Sequence, residues 1–371
     1  MESPFWRSTL GPPPSTIFPV IDTDEKLAEF HSRLRQASWR ALDTEADSLH
    51  AYPEKLCLLQ ISLAGAEELI DPLAEINLAP LWTELRKHEL ILHGADYDLR
   101  LLRKNENFVP TKIFDTMLAA RLLGNKEVSL RNLLAKYLDV ILEKGSQKAD
   151  WARRPLTARM ENYARNDTRF LKPLADILRK ELEQKNRLAW HQETCARLVN
   201  ECAEILPPDS DAWRIKGSSQ LGRLPLAILR ELWRWREEEA IAANKPPYFI
   251  LSHEVLVAIS AAVGTGHAFP DLLPRYLSER RKKNLQDTVE RGLEIAVADQ
   301  PPILSFVTRR PAQEENRRFE ELKNRRDRAA AELQLDPALL ASRAMLVLLA
   351  QDFSRYERSL MNWQRDLLKE N

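Results

Sequence analysis

The sequence predicts an α/β domain, a mixed sheet flanked by helices, followed by two all-α helical modules. Three observations carry this. Short apolar runs alternate with amphipathic stretches from residue 16 to about residue 105. From "FDTMLAARLLG" onward the pattern is almost wholly helical. Beyond "ILPPDSDAW", at 205–213, two segments resemble each other without gaps at an offset of 90 residues.

The elements follow in order. Residues 1–15 read as a loose tail with no apolar core of a signal peptide. "TIFPVI" is a short strand, and "DTDEKLAEFHSRLRQA" a helix with acids in its first turn and bases near its end. "WRALDTE", "KLCLLQISL" and "EELIDP" are three strands with breaks short enough for an antiparallel meander. A helix at about 78–88, the strand "ELILHG" and the helix "DYDLRLLRKN" follow. Breaks at Pro207-Pro208 and at 299–313 set domains of 16–205, 206–298 and 299–371. In the repeat, Glu231-Leu232 matches Glu321-Leu322, Pro247 matches Pro337 and Ser252 matches Ser342.

Composition bounds the function. With 44% hydrophobic and 30% charged residues in 371, the chain is an ordinary soluble globular protein. No apolar run approaches a membrane span. Cys57, Cys195 and Cys202 form no CxxC pair, which fits reduced thiols in a cytoplasmic protein. Net charge is zero, so a nucleic-acid partner must be argued from local clusters. "RYLSERRKK" and the stretch from Arg309 through Arg328 are such clusters, weighed against solvated helix faces. No GxxxxGK[ST] occurs, so ATP is not expected.

The chemistry gathers around acids. Asp43 and Glu45 in "LDTE" stand two apart on a strand and so share a face. Like charges at that distance need a cation between them. "HGADYDL" places Asp96 and Asp98 where a strand passes into a helix at a sheet edge. In "YARND", Tyr163 and Asp167 are i and i+4 on one helix face. Carboxylates converging from several elements suit Mg²⁺ or Mn²⁺, two of which can clamp the attacking and leaving oxygens of a phosphodiester. Asp96 and Asp115 read as helix caps, His93 as a structural histidine, and Trp151, Trp233 and Trp235 as packing residues.

These motifs, with "YPEKLCLLQIS", "FDTMLAARLL" and "DWARRPL" between them, resemble the ribonuclease D family of the DEDD superfamily of 3′→5′ exonucleases. The likeness covers roughly residues 16–190, and the paired modules resemble HRDC domains. The resemblance implies a ribonuclease H-like fold and two divalent ions. Asp43, Glu45 and Asp167 would hold the first ion, Asp43 would also reach the second, Asp98 would support the second, and Tyr163 would orient the attacking water. Tyr with three residues before Asp marks the Tyr-type branch. The implied partner is RNA with a free 3′ end, such as tRNA precursors, shortened to release nucleoside 5′-monophosphates. Lys148, Arg153 and Arg154 are candidate phosphate contacts, or a structural loop. Ala46 and Asp47 stand where the family usually carries a bulky apolar residue. The rival readings are a DNA 3′→5′ exonuclease and a catalytically silent RNA-binding protein.

Overall fold

The computed structural model describes residues 19–143, 145–204, 209–304 and 310–369. They form two compact units. One comprises the described residues up to Ala46, 56–204 and 310–369; the other comprises Asp47–Lys55 and 209–304.

The first unit is built on a five-stranded sheet: β1 (Arg40–Ala46), β2 (Leu56–Leu63), β3 (Ala66–Ile70), β4 (Glu89–Leu92) and β5 (Lys112–Asp115). Their order is β3-β2-β1-β4-β5. The meander β1–β2–β3 is antiparallel, whereas β4 and β5 join parallel to β1. Around it lie α1 (Asp24–Gln36), α2 (Ala79–Leu85), α3 (Asp96–Glu106), α4 (Thr116–Leu122), α5 (Leu130–Leu138), α6 (Ala158–Arg169), α7 (Leu171–Gln184) and α8 (Leu188–Ala203). Side-chain caps set several starts: Thr23 for α1, Asp115 for α4, Ser129 for α5 and Thr157 for α6.

Strand alternation divides the core. Leu42, Leu59 and Ile61 pack with Phe30 and Leu34 of α1, Leu81 of α2 and Leu102 of α3. Ala41, Ile91 and Phe114 pack with Leu171, Leu174 and Leu178 of α7. Leu58 packs with Trp151 and with Met160 and Ala164 of α6. Of the expected first strand, residues 16–18 lie outside the described residues, and Ile21 forms a bridge to Ile70. One expectation changes. Phe114 lies in β5 rather than in a helix, while Asp115 both ends that strand and caps α4 as expected; a four-residue strand is too short to show a period.

In the second unit, α9 (Arg223–Ala243), α10 (Pro247–Ile250), α11 (His253–Gly264) and α12 (Glu279–Leu293) enclose Leu229, Leu232, Trp235, Leu256, Ile259 and Leu285. Tyr52 of the β1–β2 connection packs on this core, and its hydroxyl donates to Glu237 at 2.6 Å.

The repeat reappears in the last segment: α13 (Gln313–Leu333), α14 (Pro337–Leu340), α15 (Arg343–Gln351), α16 (Phe353–Tyr356) and α17 (Asn362–Leu368). α9 and α13 have the same length, and both end on a left-handed residue, Asn244 or Gln334. Ser252 and Ser342 cap the helices that follow the Pro turn. The copies diverge after that.

The last segment, read from the sequence as a module apart, packs within the first unit. Trp363 stacks on Trp190 with ring centroids 5.0 Å apart. The Arg187 guanidinium donates to the carbonyls of Leu122 and Leu333 at 2.7 and 2.8 Å. Gly124, at φ +86°, lies so close to the Gln334 carbonyl that a Cβ would not fit. Ala330, Leu335, Leu340 and Trp363 complete the cluster around Leu174 and Leu178. A fragment ending at residue 204 would expose this surface. Trp363→Ala is expected to cost about 3–5 kcal/mol, read as a lower melting temperature of the whole chain. Melting like the wild type would contradict this packing.

Candidate active site

The site stands at the C-terminal end of β1. Asp43 and Glu45 leave the same face of that strand, and α6 brings Asp167 over them. Each of the three offers a carboxylate oxygen within 4.8 Å of the other two. Asp98, in the first turn of α3, is 6% exposed and accepts a hydrogen bond from the Thr44 hydroxyl. Thr44 is the middle residue of "DTE" and points to the face opposite Asp43. Asp98 therefore lies beyond the close trio yet near enough to act on its charge. The Tyr163 hydroxyl hydrogen-bonds Asp167.

The fold spends many contacts on this placement. The buried Asp115 carboxylate accepts from Gly94 and Ala95 at the entry to α3, and from Met117 and Leu118 at the start of α4. One side chain thus fixes the turn that delivers Asp98. α6 is tied to β3 through Glu67, whose carbonyl accepts from Arg165 and whose carboxylate pairs with Arg169. It is tied to β2 by a 2.7 Å bond between Ser62 and Thr168. Trp151 flanks the Tyr163 ring at 6.0 Å. Gly145 lies so close to the same ring that a Cβ there would overlap it.

Electrostatics show how the acids act on one another. Burial pushes the Asp43 carboxyl well above the usual range, and Asp167 pushes it further. Burial, then the charges of Asp43, Asp167 and Asp98, raise Glu45 to about 10. Asp98 is raised by burial and by Asp43, against the opposing Thr44 hydrogen bond. Asp167 is raised to about 7, burial outweighing the Tyr163 hydrogen bond. Burial and the neighbouring carboxylates hold the Tyr163 phenol protonated. Among the described residues, the charges that act most on these acids are those of one another. A partly exposed, all-oxygen donor set fits divalent cations.

The other candidates separate. The Arg154 guanidinium is taken up by the Asp71 carboxylate and the carbonyls of Trp151 and Cys57, which is the structural alternative. Arg153 and Lys148 are exposed. Asp96 does not cap α3; it is the first helical residue and pairs with Arg100 at 3.0 Å. His93 is structural, bonded to Thr116 at 2.8 Å. Asp47 closes the β1–β2 connection by accepting from the backbone N–H of Lys55 at 2.7 Å. In the basic runs, of which Arg309 lies outside the described residues, Arg280 and Arg281 both pair with Glu239, while Arg318 and Arg325 donate to the carbonyls of Ala350 and Leu368. Side chains bound to backbone in this way are a structural use of charge that a count of bases cannot reveal.

Fold and site define the class: a ribonuclease H-like 3′→5′ exonuclease whose acids are arranged for divalent metal ions. The family model described as 3′-5′ exonuclease matches residues 18–183, and the HRDC domain model matches residues 226–264. Ribonuclease D of Zymomonas mobilis is 35% identical over 249 residues, covering 66% of this chain and 64% of that protein. Ribonuclease D of Jannaschia sp. is 30% identical over 296 residues, covering 76% of each. The crystal structure of Escherichia coli RNase D, described as an exoribonuclease involved in structured RNA processing, superimposes with a TM-score of 0.72. The identity there is 26%, over 96% of this chain and 93% of that one. The chain belongs to the ribonuclease D family of 3′→5′ exoribonucleases.

Gly145 was invisible to motif reasoning, since its neighbour in space is 18 residues away in sequence. Gly145→Ala must displace either the Tyr163 ring or its own loop. A displacement of about 1 Å costs roughly 10²-fold in rate. Single-turnover cleavage should slow by 10-fold or more, ~10²-fold at the upper end, with little change in melting temperature. Wild-type turnover would show that the ring is not held from this side.

Proposed function

We propose that this chain shortens RNA from a free 3′ end, with tRNA precursors as the substrate class, and releases nucleoside 5′-monophosphates. Asp43, Glu45 and Asp167 hold one divalent ion, Mg²⁺ or Mn²⁺; Asp43, with support from Asp98, holds a second. The observation that carries this reading is the meeting of three carboxylates from two separate elements within 4.8 Å. A binding module has no use for such repulsion, which weighs against a catalytically silent protein.

When bound, the ions supply the charge that makes water nucleophilic at neutral pH and stabilises the departing 3′ oxygen. The residues do the rest. Asp43 acts on the charge of both Glu45 and Asp98, so that one carboxylate could serve both ion positions. The phenol of Tyr163, kept protonated and anchored to Asp167, holds the attacking water in line with the phosphorus. The P–O bond to the new water oxygen forms as the bond to the preceding nucleotide's 3′ oxygen breaks, and that oxygen takes up the proton. Membership of the ribonuclease D family supports RNA over DNA, and the described substrate of the Escherichia coli relative supports a structured RNA. Three free, buried thiols support a cytoplasmic site, and no described helix is long and apolar enough to cross a membrane.

The test is digestion of a 3′-tailed tRNA beside a DNA oligomer of the same tail sequence, with Mg²⁺, with Mn²⁺ and with chelator. The expected products are 5′-monophosphates lost one at a time from the RNA, only when metal is present. Asp43→Asn should abolish them in a folded protein. Tyr163→Phe should slow the chemical step roughly 10²–10⁴-fold while metal affinity stays near normal. Internal cuts, metal-independent cleavage or faster loss of DNA would overturn the reading.

A further inference from the structure

Gln60 lies in the middle of β2, a strand buried along its whole length. It is the direct cross-strand partner of Asp43. Side chains of such a pair leave the sheet on the same face, with Cβ atoms roughly 4.5–5.5 Å apart. The neighbours on that face locate its amide. Leu58 packs with Trp151 and with Met160 and Ala164 of α6, while Ser62 bonds to Thr168. Gln60 stands between them, under the turns of α6 that carry Ala164 and Asp167.

Its exposure is 0%, and neither Nε2 nor Oε1 has a hydrogen-bond partner among the described residues. An unsatisfied buried polar group costs about 1–3 kcal/mol. Leucine or methionine would fill a similar volume at this position without that cost. A buried amide directly opposite Asp43, with no partner of its own among the described residues, has a use in the cluster. An ionised carboxylate is an acceptor only. A lysine or arginine beside it would compete with a bound cation for the negative charge. A neutral N–H can orient the carboxylate and leave its charge available.

We propose that Gln60 is a positioning residue of the metal site: its amide N–H donates to the Asp43 carboxylate when the acids are ionised around divalent cations, fixing the direction in which Asp43 offers its oxygens. This rests on the reading of the acids as a metal site. Partners of this kind behind a ligand typically set 10–100-fold of metal affinity.

The test compares the whole chain with Gln60→Leu and with Gln60→Met, which keeps the length of the native side chain. Three quantities are measured: the melting temperature without metal, Mn²⁺ affinity by titration calorimetry, and kcat and KM on an RNA oligomer. The expected variants melt at or above the wild-type temperature, because the orphaned amide is gone. They bind Mn²⁺ roughly 10-fold more weakly or worse, and lose kcat with KM for RNA little changed. Wild-type Mn²⁺ affinity and kcat in a folded variant would overturn the proposal. So would failure of both variants to fold, which would make the amide a structural element. If the wild type and Asp43→Asn bind Mn²⁺ alike, the metal-site reading itself fails and Gln60 falls with it; a loss in Asp43→Asn but not in the Gln60 variants sinks the Gln60 role alone.

Discussion

The structure depends on one unfavourable interaction, the crowding of Asp43, Glu45 and Asp167 into a space where their charges repel. A fold does not hold like charges together by default. Here β1 is clamped between β2 and β4, so Asp43 and Glu45 cannot turn away without breaking the sheet. α6 cannot lift Asp167 clear without losing the bonds of Arg165 and Arg169 to Glu67 and the Ser62–Thr168 bond. Asp115 holds the turn before Asp98 with two backbone N–H groups. The repulsion is held in place by the sheet, and a cation relieves it.

Much of this was legible in the sequence, for physical reasons. The pair in "LDTE" follows from strand periodicity, Tyr163 and Asp167 follow from helix periodicity, and the meander follows from runs long enough to carry a pattern. Other parts left no local trace. β5 is four residues long. Thr44 donates its hydroxyl to Asp98, 54 residues on, which no local pattern signals. The basic runs looked like a surface for phosphate, yet several of their guanidiniums reach backbone carbonyls or Glu239. Gly145 and Gln60 matter through residues distant in sequence, and no spacing rule reports that.

The repeat illustrates the same limit. Its offset and its cap residues were readable, and the helices recur as expected through the capping serines. Where each copy packs was not readable. The first copy joins Asp47–Lys55 in a unit of its own, with Tyr52 on its core. The second lends Leu335, Leu340 and Trp363 to the catalytic unit. The two copies met different neighbours although some matched positions, Leu232 and Leu322 among them, are buried in both. Asp47, which follows Ala46 after "DTE", likewise has a structural use in the connection it closes.

The central claim is that the acids are strained when metal-free and relaxed by a divalent ion. A carboxyl raised in the folded state binds more protons folded than unfolded, so its contribution to stability is complete below the unfolded value and is lost as pH rises through the folded one. For Asp167 that window runs from the ordinary range near 3.8 to about 7; for Glu45 it runs from 4.5 to about 10. The most direct measurement is the melting temperature of the metal-free chain from pH 5 to pH 8, beside Asp43→Asn, with and without Mn²⁺. Without metal, the wild type should lose stability relative to Asp43→Asn as pH rises, ending ~2–4 °C below it. Mn²⁺ should reverse that difference. Parallel curves that Mn²⁺ leaves unmoved would contradict the account.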